Sequence, residues 1–168
     1  MTSPIIVTAL FGPPDFAWLD GLRRRHYPLE RNQVPAHLTL FRHLAPELAP
    51  ELKQRLASAT RNQLAPRAWI AGVQNLGTGV ALRIESPDLE AIRADLAEAF
   101  ASMLIPQDRA GWRPHVTIQN KVEPKEAKRL QRQLGATFEP RPLSIRALAA
   151  WRYLGGPWEP LRIYPFRT

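Results

Sequence analysis

The chain spells His-x-Thr-aliphatic twice. HLTL begins at His37 and HVTI at His115, 78 positions later in a chain of 168 residues. The same offset carries Leu44 onto Val122, Pro46 onto Pro124, and Leu52 and Leu56 onto Leu130 and Leu134. An internal repeat of this kind constrains the fold before any local propensity is weighed. Whatever one half builds, the other half is expected to build again.

The local patterns follow the same order twice. PIIVTALF (4–11) is a β-rich run, and Phe16, Leu19 and Leu22 sit at helical spacing within 13–27. HLTLF is a strand, and 50–64 is a helix carrying Leu52, Leu56 and Ala59 on one stripe. Strands are expected at 67–77 and 79–85, around a glycine-bearing turn. A helix over 86–104 starts at a Ser86 N-cap, followed by Pro87 and Asp88, and buries Leu89, Ile92, Leu96, Phe100 and Met103. HVTIQ is a strand, and 124–135 is a helix with Gly135 as its C′ residue. LSIRALAAWRYL and EPLRIYPF form a closing hairpin around GGPW. At the offset of 78, the helix 13–27 falls on 91–105 and the strand 67–77 on 145–155. The expectation is one bilobal α+β domain over 1–168, with halves at about 1–78 and 79–168. Each lobe is an antiparallel sheet with flanking helices, and the two lobes flank a central groove.

Side chains alternate along a strand, so His37, Thr39 and Phe41 share one face and Leu38 and Leu40 the other. In the second copy His115, Thr117 and Gln119 stand opposite Val116 and Ile118. If the aliphatic pairs are buried under helices, two lobes related by a pseudo-twofold axis bring both His-Thr faces to one cleft. Imidazole, with an ordinary pKa near 6.5, accepts or donates protons near neutrality. Two of them supply one neutral base and one protonated acid. Each such transfer contributes about 10²–10⁴-fold in rate. Threonine hydroxyls suit the non-bridging oxygens of a phosphate. This is the logic of in-line displacement at a phosphodiester, with a bell-shaped pH profile.

HLTLF and PHVTI, one in each half of a basic chain, resemble the two signature motifs of the 2H phosphoesterase superfamily. That group holds the 2′-5′ RNA ligase-like proteins and the cyclic nucleotide phosphodiesterases. The likeness spans essentially the whole chain, including the RPH lead into the second motif. It implies two antiparallel sheets flanking a V-shaped groove. It implies cleavage of a 2′,3′-cyclic phosphate to a 2′-phosphate, and in some members a reversible 2′-5′ joining of RNA ends. By motif position, His37 and His115 are the implied acid–base pair, and Thr39 and Thr117 the phosphate holders. Two stretches depart from the pattern. After the first motif, relatives continue with an aromatic and then Leu-Gly, where this chain has Phe41, Arg42, His43 and Leu44. After the second they commonly have Gly-Arg, where it has Gln119, Asn120 and Lys121.

Other residues carry two readings each. Phe41 and Trp112 are candidates to stack on a base, as aromatics do in single-stranded RNA sites. Lys121 is a candidate substrate contact. His43 either touches the groove or lies in an exposed loop. Arg23, Arg24 and Arg25 either bind phosphate or solvate a helix end beside His26. Trp69 and Trp151 read as core. The net charge of +8 attracts phosphate-bearing partners, or reflects only an arginine-rich surface.

The chain has no cysteine, which excludes disulfides and thiolate chemistry. No stretch has the roughly 18 apolar residues of a membrane helix, and the start lacks a signal-peptide pattern. A cytoplasmic monomer without membrane association is expected. No cofactor or metal is expected, because no His pair has helical ligand spacing and no acidic residue flanks either motif. The expected substrates are RNA ends or a nucleotide cyclic phosphate. The competing readings are 2′-5′ ligation, a phosphodiesterase for a non-RNA metabolite, a non-catalytic RNA-binding protein, and a His-ligated metal enzyme.

Overall fold

Proline sets where the helices begin. In the computed structural model, which describes residues 3–168, all five described α-helices carry Pro in their first two positions. The ring fixes φ near its helical value at a place where the missing N–H costs nothing. The chain runs β1 (Ile5–Phe11), α1 (Pro13–His26), β2 (Leu38–Leu44), α2 (Ala49–Thr60) and β3 (Arg67–Asn75). It continues β4 (Val80–Glu85), α3 (Pro87–Ala99), a short α4 (Pro106–Arg109), β5 (His115–Gln119), α5 (Pro124–Thr137), β6 (Arg141–Tyr153) and β7 (Trp158–Pro165). The Ser86 hydroxyl accepts the Leu89 N–H at 3.1 Å, so α3 starts on the expected cap.

Three expected helix ends differ, the first being α2, which stops at Thr60 instead of 64 because Arg61 turns extended. Gly135 does not terminate α5, which runs on to Thr137 before Phe138 turns extended. Helix α3 stops at Ala99, and a 3₁₀ turn over Ala101–Met103 breaks the 3.6-residue spacing. Met103 therefore leaves the buried stripe and is 58% exposed, while Leu89, Leu96 and Phe100 stay buried.

The strands form an antiparallel sheet in the order β2-β1-β6-β3-β4-β5, with β7 also on β6. Strand β6 is thirteen residues long and serves two arms. Its Ile145–Arg152 stretch lies along β1, and Arg141–Ser144 pairs with β3. One arm is thus β2-β1-β6-β7 and the other β3-β4-β5. Each arm draws strands from both halves of the chain. The α+β architecture with antiparallel pairing is as the sequence patterns indicate. On the helix side of the sheet, Leu38, Leu40, Val116 and Ile118 join Val7, Ala9, Leu82 and Ile84 in the core. Burial of those faces leaves the His-Thr faces to look the other way.

Candidate active site

His37 and His115 are held alike. The Nδ1 of each lies 2.8 Å from the carbonyl oxygen two residues earlier, Pro35 for His37 and Arg113 for His115. A carbonyl only accepts, so Nδ1 carries the proton in both rings and Nε2 is the nitrogen that the tether leaves unengaged. Each tether is anchored in turn. The Ala36 N–H donates to Asp20 of α1 at 2.9 Å, and the Pro114 carbonyl accepts from Ile84 at 3.0 Å. Strand β2 then carries Thr39 and β5 carries Thr117 onto the same face as their histidines. His37, Thr39, His115 and Thr117 all line one open groove of about 580 Å³ between the arms.

The groove withdraws water from His37. Its ring meets the edge of Trp158 at 4.7 Å and 61°. Desolvation, with smaller repulsions from Arg23 and His115, outweighs the opposing pull of the Pro35 carbonyl and lowers the His37 pKa to about 4. The ring is therefore neutral at physiological pH.

Polar side chains packed against the two motif strands hold their backbones in place. Arg93 of α3 donates from Nε to the Leu40 carbonyl at 3.1 Å and from Nη2 to the Asp108 carbonyl at 2.7 Å. Trp112 donates from its indole nitrogen to the Thr39 carbonyl at 3.0 Å. On the other arm, Arg23 donates from Nη1 to the Thr117 carbonyl at 2.9 Å and from Nε to Asn32 at 2.8 Å. Both guanidiniums also lie over aromatic rings, Arg93 at 4.3 Å from the Phe41 centroid and Arg23 at 4.1 Å from Tyr27. Charge-assisted bonds of this kind are the stronger class, and they fix the backbone that presents each threonine.

Several sequence readings need correction. Phe41 is not a groove residue. It is fully buried, because β2 carries an extra residue between Thr39 and Phe41 relative to β1, pairing Thr8 with Thr39 but Val7 with Phe41. A second irregularity between Phe41 and Leu44 keeps Leu44 in the core as well. The alternation that begins at His37 therefore fails after Thr39. Lys121 does not line the groove either. It sits past the end of β5 with φ 62°, its N–H bonded to the Asn120 side chain. Arg23 is neither a solvated helix end nor a surface phosphate contact, being 4% exposed. Trp69 is 44% exposed and not core.

The structure places Trp112 and His43 in the groove lining, His43 as an exposed strand residue. Sequence reasoning missed Arg93, Asp108, Tyr153 and Trp158, all of which also line it. Only Trp158, beside the Gly-Gly-Pro turn, carried a visible signal. Among the described residues no group of three His, Cys, Asp or Glu stands close enough to hold a metal ion. No helix among them is long and apolar enough to cross a membrane.

The sequence profile of the 2′-5′ RNA ligase superfamily matches residues 11–157. No curated protein sequence is a significant match. Among solved structures, the TT0787 protein of Thermus thermophilus is 17% identical, with a TM-score of 0.65 over 98% of both chains. A structure titled as a phosphoesterase is 15% identical, with a TM-score of 0.62 over 99% of both chains. E. coli LigT, solved with 3′-AMP, is 15% identical, with a TM-score of 0.61 over 100% of both chains. At these identities the likeness is one of fold.

Proposed function

This chain belongs to the 2′-5′ RNA ligase superfamily, and from that membership we propose that it hydrolyses a 2′,3′-cyclic phosphate of RNA or a nucleotide to the 2′-phosphate. The observation that carries this reading is the matched pair of Nδ1–carbonyl tethers, each 2.8 Å, which leaves two Nε2 atoms to one groove.

The roles divide by environment. His37 is neutral, with a pKa lowered to about 4, and is the base. Its Nε2 takes a proton from water as the water oxygen forms its bond to phosphorus. The bond from phosphorus to O3′ breaks, and His115 gives that oxygen the proton from its Nε2. The product carries a 2′-phosphate and a free 3′-hydroxyl. Thr39 and Thr117 donate their hydroxyl protons to the non-bridging oxygens, where negative charge resides.

The test is turnover of adenosine 2′,3′-cyclic phosphate in EDTA, with product regiochemistry read by phosphorus NMR. The wild type should give the 2′-phosphate. His37→Ala and His115→Ala should each lose about 10²–10⁴-fold. Turnover indifferent to both substitutions sinks the reading.

A further inference from the structure

The two irregularities in β2 do more than bury Phe41. They turn Arg42 and His43 outward, where regular alternation would have put Arg42 on the core side. Both are exposed and line the groove, and so does exposed Arg113 on the loop before β5. The bulged backbone is clamped by one buried carboxylate. Asp108 accepts the Arg42 N–H at 3.0 and 3.1 Å and the His43 N–H at 3.0 Å, and is itself 4% exposed. A bulge stabilised in this way re-aims side chains at a fixed place beside a site. Among the described residues, the Arg42 and Arg113 side chains have no hydrogen-bond or ion-pair partner. Asp108 is the one carboxylate in the groove lining, and it is already bonded to these backbone N–H groups.

From this we infer that Arg42, His43 and Arg113 form a second anion subsite, which binds a phosphate one nucleotide unit away from the reacting one. The inference rests on the proposed cyclic-phosphate reading for its substrate. A terminal 2′,3′-cyclic phosphate occupies both ribose hydroxyls, so the further phosphate is on the 5′ side. The two irregularities shorten this stretch, since Thr39 to Leu44 runs alongside only Thr8 to Ile5; Arg42 therefore stands roughly 5–7 Å past Thr39 along the strand, and a guanidinium fork matches a phosphate with two donors. The preferred substrate class is then a nucleotide cyclic phosphate that also bears a 5′-phosphoryl group. That group comes either from a 5′-monophosphate or from the phosphodiester of an RNA chain.

Three substrates distinguish these. They are adenosine 2′,3′-cyclic phosphate, its 5′-phosphorylated form, and the adenylyl-adenosine dinucleotide ending in the same cyclic phosphate. The wild type should favour at least one of the latter two over the first by about tenfold or more in kcat/KM, the size of one charge-assisted contact. The higher of the two identifies the source of the second phosphate. In Arg42→Gln and Arg113→Gln the preference should fall toward one. Arg42→Lys should keep part of it, and Arg132→Gln, an exposed charge removed on α5, should leave it intact. Calorimetric binding of adenosine 3′,5′-bisphosphate against adenosine 3′-monophosphate reads the same ratio without turnover. A wild type that hydrolyses no cyclic phosphate yet shows this binding ratio defeats the proposed reaction and keeps the subsite. Equal handling of the ligands, or a preference that survives both glutamine variants, overturns the subsite.

Discussion

At the scale of single residues the groove is governed by what surrounds two imidazoles. His37 and His115 share a tether but not a neighbour, since Trp158 lies against His37. The kcat/KM profile reports the groups of the free enzyme, so its acid limb should follow His37 and break near pH 4 instead of near 6.5. A break near 6.5 would assign the base elsewhere. The same displacement should also register in stability. Between about pH 6.5 and 4 the unfolded chain binds a proton on His37 that the folded chain refuses. Stability is therefore fully present above the unfolded pKa and falls as pH drops through this window, by no more than about 3–4 kcal/mol for a fall from 6.5 to about 4. Urea unfolding at pH 7 and pH 4.5 should show a smaller acid loss in His37→Gln than in wild type. An identical loss in both proteins would mean that the ring is not desolvated in solution.

At the scale of elements, strand pairing decides which side chains reach the groove, and glycine decides how closely the start of β4 approaches the end of β5. A Cβ at Gly79 would overlap the Gln119 carbonyl oxygen and stand 2.6 Å from the Asn120 Cα. Backbone cannot swing aside as a side-chain tip does, so Gly79→Ala should cost about 1–3 kcal/mol or more, read as a lower urea midpoint. Gly21 on α1 has open space where a methyl group would stand, with nothing within 4 Å, and Gly21→Ala should instead gain about 0.5–1 kcal/mol. A neutral Gly79→Ala would show that the start of β4 is free to shift. The same dependence on pairing explains what the sequence disclosed. His37, Thr39, His115 and Thr117 were legible because two-residue alternation holds through those four positions. Phe41 was misread because the extra residue after Thr39 lies in the pairing with β1, and single-strand alternation carries no mark of it. Arg23, Arg93 and Asp108 look like surface charges in sequence. Their burial depends on carbonyls and N–H groups 94, 53 and 66 residues away, a distance that no local pattern spans.

At the scale of the whole molecule, the repeated order of elements does not make the two halves of the chain independent. Strand β1 leaves its second edge to β6, from Ile5–Arg152 to Phe11–Ile145 with one register shift between Leu10 and Phe11. Strand β3 has both of its partners, β4 and β6, beyond residue 78. Helix α1 lies against β5, and its buried Arg23 ends on the Thr117 carbonyl. In the reverse direction, Arg93 of α3 ends on the Leu40 carbonyl. A fragment of residues 1–78 would expose the β1 edge, strip β3 of its ladder and leave a guanidinium without its acceptor. Unpaired strand edges and uncompensated polar groups both weigh against an isolated half. Expressed separately, 1–78 and 79–168 should each lack a cooperative thermal transition by circular dichroism. Mixed at equal concentration, they should recover β-sheet ellipticity together with whatever cyclic-phosphate turnover the intact chain has, because the groove needs one His-Thr strand from each. A cooperative transition in either fragment alone would show that its half closes a core without the exchanged strand. The repeat would then be two folded units side by side, and the shared sheet a later contact between them.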